Sequence, residues 1–229
     1  MADYWLNKKV GITGGASGLG LRISIILESK GAKITIIDRV DDPKFSFDYN
    51  YLQFDLSKGI PDLKDYNFDV FISNAAIFSG YKPFSKFSDE EITNNILVNV
   101  LAPTLLLKNI KCTKHVLINS VCSLSGLINI SLYCASKSFL KTLNESLRRE
   151  GMNTLIYYPF KINTNMFKDL NDRFVLKVED VANDIIKSIE KNKKEVFNPF
   201  YYRFVFLFGF FPNCFTDLIY KWIDKFFKR

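Results

Sequence analysis

Three Tyr-x-x-x-Lys pairs are the features of this sequence that could do acid–base chemistry. They are Tyr4/Lys8, Tyr133/Lys137 and Tyr157/Lys161. Residues four apart on a helix share one face, so the ammonium group is held beside the phenol. A nearby cation favours phenolate and lowers the tyrosine pKa from about 10, which makes proton exchange easier at neutral pH. Eleven tyrosines and 24 lysines in 229 residues give about one such pair by chance, so the spacing alone identifies no site.

The surrounding sequence separates the three pairs. Tyr4/Lys8 precedes the first predicted strand, and Pro159 divides Tyr157 from Lys161, so neither pair is expected to share a helical turn. Both are interpreted as ordinary packing or surface residues. Tyr133/Lys137 lies in a helical pattern, 13 residues after a serine that ends a strand-like run. This pair is therefore the candidate proton donor.

Short β-branched runs alternate with helical patterns along most of the chain. Strands are predicted at 8–12, 33–37, 51–54, 69–73, 115–119, 154–158 and 195–198, and the longer helices at about 89–108, 133–149 and 179–191. Between the first two strands, an apolar helical face ends at Gly31, where a C-cap glycine is expected. The alternation predicts an α/β fold: a doubly wound parallel sheet of the Rossmann type, with about seven strands in a single domain.

A glycine-rich turn, "TGGASGLG" at 13–20, joins the first strand to the first helix. Gly14, Gly18 and Gly20 allow a tight turn, close approach of the backbone to a phosphate, and close packing of the helix on the sheet. The helix N-terminus offers unpaired N–H groups to a pyrophosphate. The turn therefore predicts a dinucleotide site.

Asp38, at the end of the second strand, is placed to accept hydrogen bonds from the adenosine ribose. Its carboxylate would repel a 2′-phosphate, so NAD is favoured over NADP. Arg39 favours NADP instead, because its guanidinium could bind the 2′-phosphate if Asp38 turned away.

Together these motifs resemble the short-chain dehydrogenase/reductase family from about residue 6 to residue 190. The further matching segments are "DLS" at 55–57, "SNAA" at 73–76, Asn99 in "LVNVLAP", Ser120 in "LINSVCS", "YCASK" at 133–137 and "PFKINT" at 159–164. Ser120 is preferred to Ser123 and Ser125 because it directly ends the fifth strand. Phe160 stands where the family has a glycine.

The resemblance implies a set of site residues. The catalytic residues would be Asn99, Ser120, Tyr133 and Lys137. The cofactor-binding residues would be Gly14, Ser17, Gly18, Leu19, Gly20, Asp38, Arg39, Asp55, Leu56, Asn74, Ala75, Tyr133, Lys137, Ile162 and Thr164. Met166, Phe167 and Phe174 follow as candidates to line a substrate pocket.

The implied function is an NAD(P)-dependent oxidoreductase that interconverts an alcohol and a ketone or aldehyde. Ser120 would bind the substrate oxygen, Tyr133 would exchange the proton and Lys137 would lower its pKa and bind the nicotinamide ribose. Asn99 would anchor a water that replenishes the proton. The alternatives are a nicotinamide-binding regulator or scaffold, which would not need all four residues, and a nucleotide-sugar epimerase or dehydratase, which usually has a larger substrate domain. The absence of Gly-x-Ser-x-Gly opposes a serine hydrolase.

The chain after residue 195 differs in composition, which divides it into a catalytic domain (1–195) and an aromatic-rich extension (196–229). The extension holds 14 of the chain's 35 aromatic residues (22 Phe, 11 Tyr and 2 Trp). An amphipathic helical pattern begins at Phe215. Three interpretations stay open for 203–229: a helix folded on its own domain, contact with a membrane surface, or self-association.

Composition excludes several other classes. The formal charge is +7, but the basic residues are scattered singly, so no nucleic-acid partner is expected. With one histidine, His115, and no C-x-x-C among four cysteines, no metal site is expected either. The cysteines are interpreted as reduced thiols, and Cys122 and Cys134 as small apolar residues. No apolar signal core is present near the N-terminus, so a cytoplasmic protein is expected, with the extension suited to peripheral membrane contact. A homo-oligomer is expected. The connections from Asp55 to Asn74 and from Asn99 to Ser120 are short for the family, and they are expected to alter its interface.

Overall fold

The computed structural model describes residues 4–164, 166, 175–210 and 216–221. Seven β-strands lie within them: β1 (Lys9–Thr13), β2 (Lys33–Asp38), β3 (Asn50–Gln53), β4 (Asn67–Ser73), β5 (Lys111–Ile118), β6 (Thr154–Pro159) and β7 (Glu195–Asn198). Each coincides with a predicted strand to within a few residues. The β-branched runs therefore identified the strands correctly, including the weak last one.

The strands form one parallel sheet in the order β3-β2-β1-β4-β5-β6-β7. This order confirms the predicted doubly wound fold. The direction in which the chain adds strands reverses between β1 and β4. The strands β2 and β3 lie on one side of β1, and β4 to β7 lie on the other. The connections leave the sheet in opposite directions at that point, so a crevice opens at the carboxyl ends of β1 and β4.

Five α-helices cover the two faces of the sheet. They are α1 (Gly18–Ser29), α2 (Asp89–Ile96), α3 (Ala102–Asn109), α4 (Ser131–Arg149) and α5 (Val178–Glu190). Alternate residues of β6 show the two layers: Leu155 and Tyr157 pack with α1 and α5, whereas Ile156 and Tyr158 pack on the opposite face. All four side chains are fully buried. The sheet is therefore buried on both faces, as parallel sheets are.

A π-helical turn, Leu97–Leu101, joins α2 to α3 and carries Asn99. The three segments run on without a break from Asp89 to Asn109, which is where the sequence predicts this helix to end. Ser88 and Glu91 form a capping box at its start, so the first backbone N–H groups have partners. A π turn rotates the residues that follow it and is often found at functional sites.

Short 3-10 segments complete the connections. They are Leu56–Lys58, Phe84–Lys86, Val121–Ser123 and Phe200–Phe210. The first is the only helical element described between β3 and β4, in agreement with the short connection expected there. The last begins just after β7, and a helical segment at 216–221 follows. Among the described residues, none of the helices combines the length and apolar character that a bilayer crossing requires.

Candidate active site

A cavity of about 920 Å³ opens at the carboxyl ends of the strands and extends from the crevice between β1 and β4 towards α4. All but one of the predicted cofactor-binding residues line it. These are Gly14, Ser17, Gly18, Leu19, Asp38, Arg39, Asp55, Leu56, Asn74, Ala75, Tyr133, Lys137, Ile162 and Thr164. Residues up to 150 positions apart in sequence therefore meet around one space.

The glycine turn is shaped by contacts that leave no room for side chains. Gly14 has a φ of +66°, and a Cβ there would lie 3.0 Å from the Cα of Ala75. Gly20 is the predicted residue that does not line the cavity, and a Cβ on it would lie 2.1 Å from the carbonyl oxygen of Gly14. Its role is therefore the close packing of α1 on the turn, while Gly14 and Gly18 keep the backbone open towards the cavity.

Asn74 holds the glycine turn against the end of β4. Its side-chain amide donates hydrogen bonds to the carbonyl oxygens of Thr13 and Gly14, at 3.0 and 3.1 Å. The hydroxyl of Thr13 in turn accepts from the backbone N–H groups of Asn74 and Ala75, both at 3.1 Å. These bonds fix the relative positions of the two strand ends that border the crevice.

Two carboxylates line the end of the cavity near β2 and β3. The two oxygens of Asp38 accept hydrogen bonds from the backbone N–H groups of Ala16 and Arg39, at 3.0 and 2.8 Å. Asp38 therefore faces the glycine turn and is not turned away. Asp55 accepts from the backbone N–H of Ser57 at 2.9 Å, and that bond lowers the pKa of its carboxyl group.

Ser120 lies two residues after the end of β5 and is the N-cap of the 3-10 segment Val121–Ser123. Its hydroxyl accepts from the backbone N–H of Cys122 at 3.1 Å, and Ser120 lines the cavity together with Tyr133. Ser123 is buried and donates to the carbonyl oxygen of Ser120 at 2.7 Å, so its hydroxyl points into the backbone. Ser125 lines the cavity but lies in the following loop. The geometry supports the preference for Ser120.

Tyr133 lies in the first turn of α4, with 6% of its surface exposed. The ring of Phe78 packs edge-on against it, with 5.6 Å between the ring centroids. Burial raises the pKa of the Tyr133 hydroxyl, and the hydrogen bond with Ser120 opposes that rise only in part. Tyr133 is therefore protonated at neutral pH and lines the cavity as a proton donor.

Lys137 differs from its prediction. The sequence predicts an ammonium beside the Tyr133 hydroxyl that lowers the tyrosine pKa. In the structure, the Lys137 Nζ lies 5.6 Å from the Tyr133 ring centroid and donates to the carbonyl oxygen of Ile118 at 3.0 Å. Only 3% of Lys137 is exposed, and burial lowers its own pKa to about 8. Burial is the largest cause of the raised Tyr133 pKa, and Lys137 is not among its causes.

Asn99, carried by the π turn, is buried behind the cavity wall. Its side-chain oxygen accepts from the backbone N–H of Ile77, and its amide donates to the carbonyl oxygen of the same residue, both at 2.8 Å. The amide also lies 3.5 Å from the Ser136 hydroxyl on α4. Asn99 therefore ties the loop after β4 to the helix that carries Tyr133, and its amide is engaged with backbone.

The segment after β6 also lines the cavity and reaches the glycine turn. Ile162 pairs with Leu176 in an isolated β-bridge. Thr164 lies over Gly18, and a Cβ atom placed on that glycine would be 3.5 Å from the threonine methyl group. Phe160, in place of the family's glycine, stacks on Tyr202 with 5.2 Å between ring centroids. An aromatic partner from the extension thus accommodates this departure. Met166 lines the cavity, whereas Phe167 and Phe174 lie outside the described residues.

Several cavity-lining residues were not identified from the sequence. The extension contributes Tyr202, Val205, Ile219 and Tyr220, which are more than 60 positions from Tyr133. Periodicity cannot reveal a contact of that range. Asn119 could have been suspected because it precedes Ser120, and its amide donates to the backbone carbonyl oxygen of Lys137 at 3.1 Å.

The other two Tyr-x-x-x-Lys pairs have structural partners. Lys8 forms an ion pair with Asp69 at 2.9 Å. Tyr157 is fully buried, and its hydroxyl donates to Asp184 at 2.6 Å and accepts from the Asn198 amide at 2.7 Å. The described residues contain no cluster of ligands suited to a metal ion.

Comparisons with known proteins find similar oxidoreductases. A family model described as short chain dehydrogenase matches residues 62–173. An uncharacterized oxidoreductase of Saccharomyces cerevisiae is 27% identical over 226 residues, covering 83% of this chain and 73% of the yeast protein. Mouse 17-beta-hydroxysteroid dehydrogenase 13 is 32% identical over 132 residues, which cover 49% of this chain and 42% of the mouse protein. The chain thus matches less than half the length of that relative.

Solved structures share the fold. A short-chain dehydrogenase from Sphingobium yanoikuyae in complex with NADPH has a TM-score of 0.72 and 19% identity, covering 84% of this chain and 88% of that one. A 4-hydroxyisoleucine dehydrogenase complexed with NADH has a TM-score of 0.72 and 22% identity, covering 83% and 96%. Together with the glycine turn and the Ser-Tyr-Lys arrangement, these findings define a nicotinamide-dependent oxidoreductase with a Rossmann fold. The matched family model covers 112 of the 229 residues, and the chain is similar in sequence and fold to members of the short-chain dehydrogenase/reductase family.

Proposed function

We propose that this chain interconverts a lipophilic alcohol and the corresponding ketone or aldehyde, with NAD as the preferred cofactor and Tyr133 as general acid and base. The observation that carries the proposal is the placement of Ser120 and Tyr133 on the wall of the same cavity as the glycine turn and Asp38. One space can thus hold both a dinucleotide and a substrate carbonyl.

When bound, the nicotinamide supplies a hydride to the carbonyl carbon or accepts one from the alcohol carbon. Tyr133, which burial keeps protonated, donates its proton to the carbonyl oxygen during reduction and takes it back during oxidation. Ser120 donates a hydrogen bond to the same oxygen and positions it. Lys137 supplies a buried positive charge that stabilises the tyrosinate left after proton transfer. Asn99 positions α4 through Ser136 and Ile77.

The chain's own residues fit a dinucleotide. A side chain is excluded at Gly14, so the turn presents backbone to the cavity, and α1 begins at Gly18, which also lines the cavity. The preference for NAD rests on Asp38, which is held towards the glycine turn by two backbone N–H groups. A carboxylate fixed there accepts from ribose hydroxyls and repels a 2′-phosphate.

Cofactor choice can be measured without a substrate. Titration of the protein with NADH and with NADPH, followed by nicotinamide fluorescence, is expected to give tighter binding of NADH. Asp38→Ser removes the repulsion between the carboxylate and the 2′-phosphate, so the affinities for NADH and NADPH should become more similar. Arg39→Ala should leave the NADH affinity nearly unchanged. Tighter binding of NADPH by the unaltered protein would contradict the preference.

The substrate is proposed to be lipophilic because the wall around Tyr133 is apolar. The side chains that carry this property are Phe78, Leu127, Ile128, Tyr202, Val205 and Ile219. Of the charged lining residues, Asp38, Arg39 and Asp55 lie near β2 and β3, at the proposed adenosine end, whereas Lys137 lies on α4 and Lys161 follows β6. A charged or polyhydroxylated substrate would lose hydration at an apolar wall without regaining hydrogen bonds. An apolar substrate gains free energy there by leaving water.

A spectrophotometric panel tests the substrate class. Steroid, long-chain and aromatic ketones or aldehydes are expected to oxidise NADH faster than sugars, polyol-derived ketones and keto acids. Tyr202→Ser should raise the KM of the apolar substrates, whereas the exposed neighbour Tyr201→Ser serves as the matched control. Equal or better turnover of sugars would overturn the proposed substrate class.

We propose that 196–229 acts with the domain at 1–195 and also presents an outer surface. Phe200, Tyr201, Phe204 and Leu218 are each at least half exposed. Such a surface suits a lipid interface, and a homo-oligomer contact is the other candidate. Flotation with anionic liposomes, together with sedimentation of the unaltered protein and Phe200→Ser/Phe204→Ser, distinguishes the two. If neither liposome binding nor oligomer size changes, this surface has neither role.

A further inference from the structure

Asn119 lies between Ile118, the last residue of β5, and Ser120, and the proposed reaction gives it no role. Its backbone N–H donates to the carbonyl oxygen of Tyr157 at 2.8 Å, so it continues the pairing of β5 with β6 beyond the end of the strand. Asn119 lines the cavity, but only 2% of its surface is exposed. Its side chain is thus a buried amide at the strand end that precedes the catalytic serine.

Two hydrogen bonds join this strand end to Lys137 on α4. The Asn119 amide donates to the backbone carbonyl oxygen of Lys137 at 3.1 Å, and the Lys137 ammonium donates to the carbonyl oxygen of Ile118 at 3.0 Å. Two adjacent residues therefore hold both the backbone and the charged end of the same lysine. A long side chain that is fixed at both ends loses the rotamer freedom that would otherwise spread its ammonium over several positions.

The bond from Asn119 is additional to the hydrogen bonds of the helix. Lys137 lies within α4 (Ser131–Arg149), so its carbonyl oxygen is already the acceptor for the backbone N–H four residues later. A carbonyl oxygen has two lone pairs and can accept a second bond. The helix does not need the amide for its own hydrogen bonding. The effect of the bond is therefore to fix this turn of α4 against the end of β5.

The Asn119 side chain is a poor source of stability. The oxygen of its amide is buried and has no hydrogen-bond partner among the residues that the structure describes. Leaving a buried acceptor without a partner costs free energy, which offsets the bond made by the nitrogen of the same amide. What Asn119 supplies is therefore the relative position of the strand end and the helix, with little net stability.

We propose that Asn119 is a positioning residue for Lys137 and keeps its ammonium where it stabilises the tyrosinate of Tyr133 during proton transfer. It acts through Lys137, without contact with the reacting atoms. The inference rests on the proposed function and deepens it, because the position of the ammonium affects the rate only if Tyr133 transfers a proton. A displacement of about 1 Å in a catalytic group can reduce the rate on the order of 100-fold, so a bond that fixes the lysine should affect kcat.

The first test is Asn119→Ala, measured with the best carbonyl substrate of the panel. The kcat of NADH-dependent reduction should fall on the order of 10- to 100-fold. The KM of the carbonyl substrate should stay nearly unchanged, because the substrate is expected to contact Ser120 and the apolar wall. The thermal unfolding midpoint should also change little, since the variant removes the unpartnered oxygen together with the bond.

Asn153→Ala is the matched control. The Asn153 amide also donates to a backbone carbonyl oxygen of β5, that of Thr113 at 2.9 Å, but it does so near the opposite end of the strand. The variant loses the same kind of bond to the same strand, far from Lys137. Its kcat and KM should equal those of the unaltered protein.

The second test introduces a charge at the same position. Asn119→Asp has nearly the same shape, but its carboxylate cannot donate to the Lys137 carbonyl oxygen and attracts the ammonium. Burial lowers the pKa of Lys137 to about 8, the Cys122 side chain opposes this, and the Tyr133 ring lies 5.6 Å from the ammonium. No carboxylate within the described part of the chain contributes to that pKa. The new carboxylate should therefore raise it by about one unit and move the decrease in kcat to higher pH by the same amount.

Chemical labelling measures this shift without a substrate. The rate at which acetic anhydride modifies Lys137, determined by peptide mapping over a range of pH, reports the pKa of its amino group. The group should titrate near pH 8 in the unaltered protein and about one unit higher in Asn119→Asp. A residue that only filled space in the core would not move this titration.

The outcomes separate this inference from the proposed function. If Asn119→Ala keeps its kcat, or loses kcat and stability together, Asn119 is not a positioning residue. A Lys137 titration that is the same with Asn and with Asp at position 119 also overturns the inference. If the unaltered protein turns over no substrate of the panel, the proposed function fails, and the labelling alone then decides whether Asn119 controls the surroundings of the Lys137 amine.

Discussion

Tyr133 and Tyr157 occupy two regions of the molecule with the same motif, a lysine four residues later. Burial raises the pKa of both hydroxyls. They differ in their surroundings: the Tyr157 hydroxyl is enclosed between Asp184 and Asn198, whereas Tyr133 lines a cavity beside Ser120. Burial and spacing are therefore common to a structural and a catalytic tyrosine, and only access to a substrate space separates them.

The largest expected effect is on the proton donor itself. Tyr133→Phe removes the hydroxyl and keeps the ring against Phe78, so the fold and NADH binding should be retained. Turnover should fall on the order of 100- to 10,000-fold, as for the loss of other general acids. Steady-state kinetics and fluorescence titration of NADH measure the two properties. Turnover within a few-fold of the original would place the chemistry elsewhere.

Ser120→Ala should have the next largest effect. The substrate oxygen loses one hydrogen bond that is strengthened as charge develops, so kcat should fall by roughly 100-fold. Ser123→Ala is the matched control, since that hydroxyl is bonded to the Ser120 carbonyl oxygen. A larger loss in the Ser123 variant would move the catalytic assignment to the neighbouring serine.

The pH dependence of reduction should come from Lys137. Its pKa is lowered to about 8 by burial, so it is charged below that pH and neutral above it. Stabilisation of tyrosinate is then lost as the pH rises, and kcat for reduction should decrease up to tenfold per unit above about 8. Lys137→Arg stays charged, so any activity it retains should lack this decrease. A profile that is flat from pH 7 to 10 would contradict the role.

The smallest effect on turnover is expected from Tyr157→Phe. Loss of its hydroxyl leaves Asp184 and Asn198 without their buried partner, which should lower the free energy of unfolding by about 1–3 kcal/mol. Denaturant unfolding measures this change, and the kinetics of the same preparation should match the original. A reduced kcat with unchanged stability would remove the distinction between the two tyrosines.

Much of the fold and site could be predicted from sequence because it depends on local patterns. Strand propensity located β1 to β7, and the glycine turn with Asp38 located one end of the cavity. The π turn at Asn99 was not predicted, because one extra residue per turn hardly alters the apolar pattern. The carbonyl partner of Lys137 was missed for a different reason. Ile118 lies on another element, and only the packing of α4 on β5 brings them together.

The contribution of the extension to the cavity has a thermodynamic consequence. Tyr202, Val205 and Ile219 line the same space as Tyr133, so a substrate that contacts them binds only while the extension stays packed. By linkage, such a substrate must stabilise that packing by the same free energy. Resistance to trypsin at Arg203 and Lys221 should therefore increase with substrate concentration. The extension would then report occupancy of the site from outside it.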